Sequence, residues 1–233
     1  MELQTPIAER LADTQGEVRA TALADLLQPA ADPSPHLERV GACVSDPSES
    51  LRLAALPVLG RIGASAASDL AAALEALAAR SPQALRLACA AALARVTRDP
   101  KRGLPVLVEA LGSHDAQVRK AAAEKIAELR EAAHAALPDL LRCTTDPDEE
   151  VRAAEVLTLG RIRAPYSDTV PRIIARLNDP VADVRYNSII VLASHSAEAR
   201  SALPALRACL DDPAEKVAKC AQDAMEMIGS PKP

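Results

Sequence analysis

A valine or leucine followed by arginine recurs at a nearly fixed distance along this chain. The arginines of six such pairs are separated by 33, 34, 33, 33 and 33 residues. They are Arg19, Arg52, Arg86, Arg119, Arg152 and Arg185, and one further step reaches Val217-Ala218. A period of this length predicts stacked copies of one small unit. We therefore expect function on a surface that runs along the stack.

Helix start signals surround the recurring arginines, which we call the anchor arginines. Most have an aspartate six residues earlier, and proline directly follows four of these aspartates: Asp46, Asp146, Asp179 and Asp212. An aspartate side chain caps the free N–H groups of a first helical turn, and proline suits the next position because no N–H is needed there. Glu49, Glu149 and Glu215 follow three residues later and complete a capping box. The pattern predicts a helix that each aspartate caps.

Apolar residues then follow with helical spacing. They fall at positions −1, +3, +4, +7 and +10 from each anchor arginine, as in Val156, Leu159 and Ile162. A second apolar run begins 18 residues after the arginine, as at Leu70 and Leu137. Each unit is therefore predicted to be a pair of helices. We count about seven pairs between Pro6 and Ile228, with boundaries uncertain by about 2–4 residues.

Several recurring segments resemble those of HEAT repeats. They are Asp-Pro-Asp-Glu-Glu-Val-Arg-Ala-Ala at 146–154, Leu-Gly-Arg-Ile at 59–62 and 159–162, and Ala-Leu-Pro-x-Leu at 136–140 and 202–206. The chain is most similar to the short HEAT-like subtype first named from phycobilisome-lyase proteins. This resemblance covers nearly the whole chain. It implies an all-α fold, a right-handed α-solenoid of stacked antiparallel helix pairs. We expect one such domain over 1–233, with a short polar tail at 229–233.

The composition suits such an array. Apolar residues make up 49% of the chain, yet Phe and Trp are absent and Tyr occurs twice. A core of aliphatic side chains and alanine suffices when each repeat packs only on its neighbours. The first ten residues lack the apolar run of a signal peptide, and no stretch reaches the roughly 20 apolar residues of a membrane span. We therefore expect a cytoplasmic protein without a membrane span.

Catalytic motifs are missing from the sequence. The histidines occur singly, at His36, His114, His134 and His195, and none is followed by Glu. The HEAT-like enzyme deoxyhypusine hydroxylase holds its iron with His-Glu pairs, so this resemblance does not extend to its activity. Phosphate-binding and nucleophile-elbow motifs are also missing. We expect no enzyme activity, no cofactor and no metal.

The cysteines are predicted to be free thiols. Cys43, Cys143 and Cys209 occupy the same position in three different repeats, nine residues before the anchor. Stacked helices lie about 8–10 Å apart, so thiols two or three repeats apart cannot share a disulfide or a metal. We therefore interpret them as small buried hydrophobic residues.

Positions +1, +5 and +9 from each anchor arginine lie opposite the buried stripe. In HEAT-like arrays the helices that carry them line the concave side. Several repeats hold apolar residues there, beside arginines, as a protein-binding groove requires. The predicted partner-binding residues are Leu53, Arg61, Leu87, Arg95, Leu157, Arg161, Tyr186 and Ile190. Alternatively, a strongly curved array buries part of this face, and its apolar residues belong to the core.

The anchor arginines and the aspartates recur in register. Each arginine could therefore reach the aspartate of the next repeat. This predicts a structural ladder of four pairs: Arg19 with Asp46, Arg119 with Asp146, Arg152 with Asp179, and Arg185 with Asp212.

Two features depart from the repeat pattern. In the sixth repeat Tyr186-Asn187-Ser188 replaces small apolar residues, and His195-Ser196 replaces the usual Ile-Gly or Ile-Arg. This is either drift or a grafted site. Glu155 is the one acidic residue on a predicted buried stripe. Either it pairs locally or its helix is rotated.

These observations favour a noncatalytic scaffold that binds a segment of another protein along the concave face. The phycobilisome-lyase resemblance implies an alternative, a lyase-like or chaperone role on a tetrapyrrole or its carrier protein. A third alternative is nucleic-acid binding through Arg61, Arg95 and Arg161. The formal net charge of −5 disfavours it.

Overall fold

The computed structural model describes residues 6–62, 71, 74, 75, 77, 78 and 81–229, except for the side chains of residues 196 and 197. This part of the chain contains thirteen α-helices and no β-strand, so the predicted all-α fold of stacked helix pairs is confirmed. The predicted helix start at Leu70 lies outside the described residues, as do residues 230–233 of the predicted tail. Gly229 still belongs to the last helix.

The chain forms two compact units, Met1–Leu107 and Val108–Pro233. The helices of the first unit are α1 (Ile7–Leu11), α2 (Gly16–Leu26), α3 (Leu37–Cys43), α4 (Glu49–Ile62) and α5 (Gln83–Thr97), and α6 (Leu104–Ala110) contains the boundary. Here α2 packs on α1 and α4, and α4 packs on α3 and α5. Leu23, Leu59 and Leu85 are fully buried in the core.

The second unit repeats this arrangement four times. Its helices are α7 (Ala116–Glu128), α8 (Leu137–Cys143), α9 (Glu149–Arg161), α10 (Tyr166–Arg176), α11 (Ala182–Ser194), α12 (Leu203–Ala208) and α13 (Glu215–Gly229). The helices that carry the anchor arginines pack in order, α7 on α9, α9 on α11, and α11 on α13. The intervening α8, α10 and α12 each pack on the anchor helix that follows. Ile126, Leu159 and Ile173 are fully buried.

The anchor helices α4, α9, α11 and α13 begin two residues later than predicted. The Asp146 carboxylate accepts the backbone N–H of Asp148 at 2.9 Å, which makes a turn ahead of the helix. Asp148 is the actual cap of α9, because its carboxylate accepts from the N–H groups of Glu150 and Val151. Asp46, Asp179 and Asp212 make the same turn. The prediction that these aspartates cap the helices is therefore wrong, and Glu49, Glu149 and Glu215 are the first helical residues.

These aspartates bind the anchor arginine of the preceding repeat. Arg152 Nε and Nη2 donate to the two carboxylate oxygens of Asp179 at 2.8 and 3.0 Å. The pairs Arg119–Asp146 and Arg185–Asp212 have the same two-bond geometry, at 2.7–2.8 Å. In the first unit, one bond of 2.8 Å joins Arg19 to Asp46. We call these four pairs the arginine ladder.

The Nη1 atom of each ladder arginine bonds to the arginine's own repeat. Arg152 Nη1 donates to the backbone oxygens of Asp146 and Pro147, at 2.9 and 3.1 Å. Arg185 does the same with Asp179 and Pro180. One arginine thus ties the turn before its own helix to the turn before the next anchor helix.

Candidate functional site

The four anchor helices of the second unit present one row of residues away from their buried stripes. We call this row the second-helix face, because α9, α11 and α13 each follow the helix that packs on them. It consists of Lys120, Glu124, Glu128, Ala153, Leu157, Arg161, Tyr186, Ile190, Ser194, Lys219, Asp223 and Met227. None of the twelve is fully buried, whereas the neighbouring residues at +4 and +7 are in the core on α7, α9 and α11. On α13 the buried positions are instead Ala221, Ala224 and Ile228. The helical spacing that predicts the face therefore matches the accessibility in this unit.

The centre of the face, on α9 and α11, is apolar. Ile190 is 39% exposed, which is high for an isoleucine in a packed helix. Leu157 and Tyr186 are half-buried. The Tyr186 ring has the Lys216 ammonium group 5.8 Å from its centroid. Leu157, Tyr186 and Ile190 therefore form an accessible apolar strip on two helices that pack directly on each other.

Charged residues border this strip, and most are paired. Lys120 donates to Glu150 at 2.8 Å, Lys125 pairs with Glu128 at 2.6 Å, and Lys216 contacts Asp183. Arg161 is exposed and makes no ion pair within the described part of the chain. It lies one helical turn beyond Leu157. The accessible cation beside the apolar strip is thus available to an acidic group.

In the first unit the predicted partner-binding residues mostly have structural contacts. Leu87 is only 1% exposed, so the expectation that it lies on an open face is wrong. Leu53 is half-buried and packs against the core. Arg61 donates to the backbone oxygens of Leu26, Gln28 and Ala31 at 2.6–3.0 Å, which caps the end of α2.

Arg95 also lies against its own unit. A Cβ atom on Gly60 would come within 2.8 Å of the Arg95 guanidinium carbon, so the guanidinium covers the backbone of α4 at this glycine. The half of the predicted site in the second unit consists of Leu157, Arg161, Tyr186 and Ile190, which are half-buried or exposed on two helices that pack on each other.

Burial and charge shift the pKa values of the arginine ladder. Burial raises the pKa of the Asp179 carboxyl, but hydrogen bonds from Arg152 and from the Val181 N–H lower it more, and the net pKa is below its usual value. For Asp212 the hydrogen bond from Arg185 is the largest influence, and the pKa is again lowered. Both carboxylates remain ionised in the folded chain at neutral pH.

Glu155 behaves oppositely. It is fully buried on α9, and neither carboxylate oxygen has a hydrogen-bond partner among the described residues. Burial raises its pKa to about 9, the nearby Cys143 thiol offsets part of this rise, and Asp146 adds to it. The carboxyl is therefore protonated at neutral pH. The helix keeps the expected buried stripe, so the explanation by helix rotation is wrong. The group beside Glu155 is the Cys143 thiol, and no described cation pairs with the carboxyl.

Other chemistry-bearing groups are dispersed. The five cysteines are free, and burial raises the pKa of the Cys89 thiol to about 11. Among the described residues no three His, Cys, Asp or Glu side chains are grouped to hold a metal ion. Within the same residues, no helix combines the length and apolar character of a membrane span.

Comparison with known proteins agrees with the repeat pattern. The family profile described as HEAT repeats matches residues 70–160 and again 104–193, together more than half of the chain. The X-ray structure of YibA from Escherichia coli is similar over 97% of this chain and 92% of its own, with 17% identity and a TM-score of 0.54. An engineered protein of known crystal structure is 21% identical over 97% of this chain and 68% of its own, with a TM-score of 0.53. No curated protein matches the chain.

Proposed function

Because the chain belongs to the HEAT-repeat family, we propose that it is a noncatalytic scaffold that binds a segment of another protein across the second-helix face. HEAT arrays generally bind proteins and are usually noncatalytic. At this level of identity the similar structures support the fold alone.

One observation carries the proposal. Two adjacent helices, α9 and α11, leave Leu157, Tyr186 and Ile190 accessible, where a solvated helix face would carry charge. Such an apolar patch with a charged border is typical of a protein-binding surface. Tyrosine and arginine are also the residue types most often found at the energetic centre of interfaces.

The charges of the face indicate the chemistry of the bound segment. The centre of the strip carries no acidic residue, and Arg161, one helical turn beyond Leu157, makes no ion pair among the described residues. A segment with apolar side chains and one carboxylate or phosphate group would complement both features. We therefore expect an acidic or phosphorylated segment, bound either as a helix or in extended form.

The alternatives receive less support. Nucleic-acid binding required an arginine row, but Arg61 and Arg95 are committed to contacts in their own unit. Of the three arginines, Arg161 alone makes no such contact among the described residues. The lyase-like role on a tetrapyrrole carrier rests on the subtype resemblance, and we find no feature of the described residues that favours it.

The test is peptide-display selection on the wild-type protein, followed by binding measurements on variants. We expect the enriched peptides to combine apolar and acidic residues. Ile190→Asp should weaken their binding at least about tenfold, because it places an unpaired carboxylate in a desolvated interface. The matched control is Leu210→Asp, because Leu210 has the same exposure, 40% against 39%, and lies off the face.

Three further variants sharpen this test. Leu157→Asp combined with Ile190→Asp should abolish binding while circular dichroism retains the helical signal. Arg161→Glu should reverse the selection toward basic peptides, with Arg172→Glu as the exposed control on α10. Normal binding by a folded Ile190→Asp variant would move the site elsewhere, and unfolding of that variant would mean that Ile190 belongs to the core.

A further inference from the structure

A cleft of about 660 Å³ opens in the second unit, between the turn that follows α9 and the end of α11. Its lining includes Arg163, Pro165, Tyr166, Ser194, His195 and Glu198. Ser194 also belongs to the second-helix face, and Gly160, next to Arg161, lines the cleft as well. The cleft therefore adjoins the end of the face at which Arg161 lies.

The cleft occurs where the repeat pattern is broken. In five other repeats, the residue ten positions after the anchor is a buried aliphatic: Ile62, Val96, Leu129, Ile162 or Ile228. His195 replaces it in the sixth repeat, and the ring is only partly buried. Its Nε2 atom is buried and has no hydrogen-bond partner among the described residues. The imidazole thus keeps an unused capacity for a hydrogen bond, which is unfavourable unless something supplies the partner. Because Nε2 is shielded from solvent, a guest in the cleft reaches it only after the ring turns this atom toward the cleft.

The walls of the cleft are unusually aromatic for this chain. The whole sequence holds two tyrosines and neither Phe nor Trp, so a tyrosine at any given place is rare. Tyr166 is 37% exposed, and its ring centroid lies 6.3 Å from that of His195 with the planes tilted by 49°. This spacing lies within the range of favourable aromatic pairs, and both rings can contact a third ring.

The polar groups of the cleft suit an uncharged guest. Burial lowers the pKa of the His195 imidazole, so the ring is neutral at pH 7, although the nearby Glu198 carboxylate raises the pKa slightly. The charge of Arg163 is offset by Glu198 in the lining and by Glu131, 3.2 Å from its guanidinium. A neutral imidazole both donates and accepts, and a carboxylate accepts. A hydroxyl group on an aromatic ring would match these groups.

We propose that this cleft binds the side chain of a tyrosine in the segment that docks on the second-helix face. The proposal rests on the proposed function, because the tyrosine belongs to that segment. Arg161 would take the acidic group of the segment, and the cleft would take its phenol ring one turn away.

The test uses p-cresol, the side-chain analogue of tyrosine, as the probe on the full chain. In an NMR titration we expect saturable shifts confined to residues around Tyr166 and Ser194. The variant His195→Ile restores the residue type of the other repeats, so it should fold, and we expect it to weaken p-cresol binding about tenfold through the lost hydrogen bond. His114→Ile is the matched control, because His114 is exposed and does not line the cleft.

Two related probes decide the chemistry of the cleft. Toluene lacks the hydroxyl and should bind clearly more weakly than p-cresol, whereas phenyl phosphate carries charge and should also bind more weakly. Toluene binding as tight as that of p-cresol would overturn the proposal, as would tighter binding of phenyl phosphate or the absence of shifts with all three probes. Retained p-cresol affinity in a folded His195→Ile variant would overturn it as well.

The two proposals fail in different ways. The p-cresol titration does not involve Ile190, so the variant Ile190→Asp should bind p-cresol normally even though it loses the selected peptides. If the peptides bind Ile190→Asp normally while p-cresol still occupies the cleft, the docking face is wrong and the phenol site stands. If the peptides need Ile190 but are unaffected by His195→Ile, the docking face stands and the tyrosine site is wrong.

Discussion

Single residues of two kinds give this array its charge chemistry. The anchor arginines carry ion pairs that are sheltered but hydrogen-bonded, as in Arg152 and Asp179, whose side chains are 10% and 1% exposed. Glu155 is buried, and no described residue neutralises its charge. The aspartates paired with the anchor arginines are ionised in the folded state, whereas the Glu155 carboxyl is neutral there. Their effects on stability therefore depend on pH in opposite directions.

We predict that Arg152→Ala destabilises the protein by about 1.5–3 kcal/mol, the value of charge-assisted hydrogen bonds in a sheltered setting. The substitution also leaves the nearly buried Asp179 carboxylate with the Val181 N–H and with Arg176, at 3.5 Å, as its only cation among the described residues. Urea denaturation measures the change. Arg172→Ala, on the exposed surface of α10, is the control and should change stability by less than about 0.5 kcal/mol. Equal effects of the two substitutions would contradict a stabilising ladder.

The lost stability should itself vary with pH. The folded pKa values of Asp179 and Asp212 are lowered, so their contribution is complete above the unfolded pKa of about 3.9. It is lost as the pH falls through their folded values. The difference between wild type and Arg152→Ala should therefore shrink in acid.

Glu155 gives the second pH prediction. Its folded pKa of about 9 is above the ordinary value of 4.5, so the unfolded chain releases this proton first as the pH rises. The contribution of Glu155 to the free energy of unfolding is fully present below the unfolded pKa. It falls as the pH rises through neutrality, by up to about 1.4 kcal/mol per pH unit. Glu155→Gln should remove this decline and be the more stable form above neutrality. Urea denaturation at pH 5.5, 7 and 8.5 (roughly spanning this window) tests it.

Glu149→Gln is the matched control for this experiment, because Glu149 is exposed in the first turn of the same helix. It should leave the pH dependence unchanged. A Glu155→Gln variant with the wild-type dependence would mean that the buried carboxyl is ionised in the folded state.

At the scale of helices, the closest backbone contacts decide which substitutions the packing tolerates. Gly103 lies between a short 3₁₀ turn and α6, where a Cβ atom would come within 1.9 Å of the Ala90 oxygen on α5. Real Cβ atoms do not approach a backbone oxygen this closely, so the two segments would have to separate. The small side chains of α5 allow this contact, because Ala90 and Ala94 present little bulk at the crossing.

We predict that Gly103→Ala destabilises the protein by roughly 3 kcal/mol or more, as expected for steric overlap that only a backbone shift relieves. Thermal and urea denaturation measure it. Gly112→Ala should be nearly neutral, since its nearest contact would be the Glu109 oxygen at 3.4 Å. If both variants melt together with the wild type, the packing around Gly103 is looser than this geometry requires.

Helix spacing was the part of the structure best predicted from the sequence, and exposure was the part predicted less well. The period predicted the positions of the anchor helices in both units. Helix α5 shows why it could not predict that Leu87 is buried. No charged residue lies between Arg86 and Arg95, and ten of the fifteen residues of α5 are buried. When apolar residues lie all around a helix, no polar face remains to mark the solvent side. On α11, Ile189 is buried and its neighbour Ile190 is exposed, as the helical spacing predicted.

The sequence also could not separate two uses of the same aspartate. A carboxylate just before a helix favours a cap, and the capping box reinforced that interpretation. In the structure the aspartate pairs with an arginine 27 residues earlier and accepts the backbone N–H two residues later, so it lies ahead of the capping position. The cleft beside His195 was beyond sequence reasoning except as a departure from the repeat. A cavity depends on how two turns pack, which residue spacing does not encode.

At the scale of the whole molecule, the expectation of one continuous array stays a prediction, because each of the two units is compact by itself. Within the second unit the repeats have equivalent joints. The turn at Asp146-Pro147 and the turn at Asp179-Pro180 receive the same bonds from the preceding arginine and from their own. Stability in such an array is close to a sum of repeat and neighbour terms.

Equivalent joints lead to a prediction about length. Deleting residues 147–179 joins Asp146 to Pro180, so Arg119 keeps its aspartate and Arg185 keeps an Asp-Pro turn before its helix. We expect this variant to remain helical and to unfold cooperatively, with lower stability. Deleting residues 147–163 instead removes a single helix and breaks the register, and it should unfold or aggregate. Circular dichroism with urea titration separates the two, and equal behaviour would contradict interchangeable joints.

The reactivity of the cysteines can report local opening of the fold. Burial raises the pKa of thiols at Cys43, Cys89, Cys143 and Cys209, so each resists alkylation while its helices stay packed. Because they lie in different repeats, the order in which an alkylating reagent marks them follows the order in which the repeats open. Mass spectra taken at successive times would measure the alkylation of each cysteine. They would therefore show which repeats open first, with no label added to the chain beforehand.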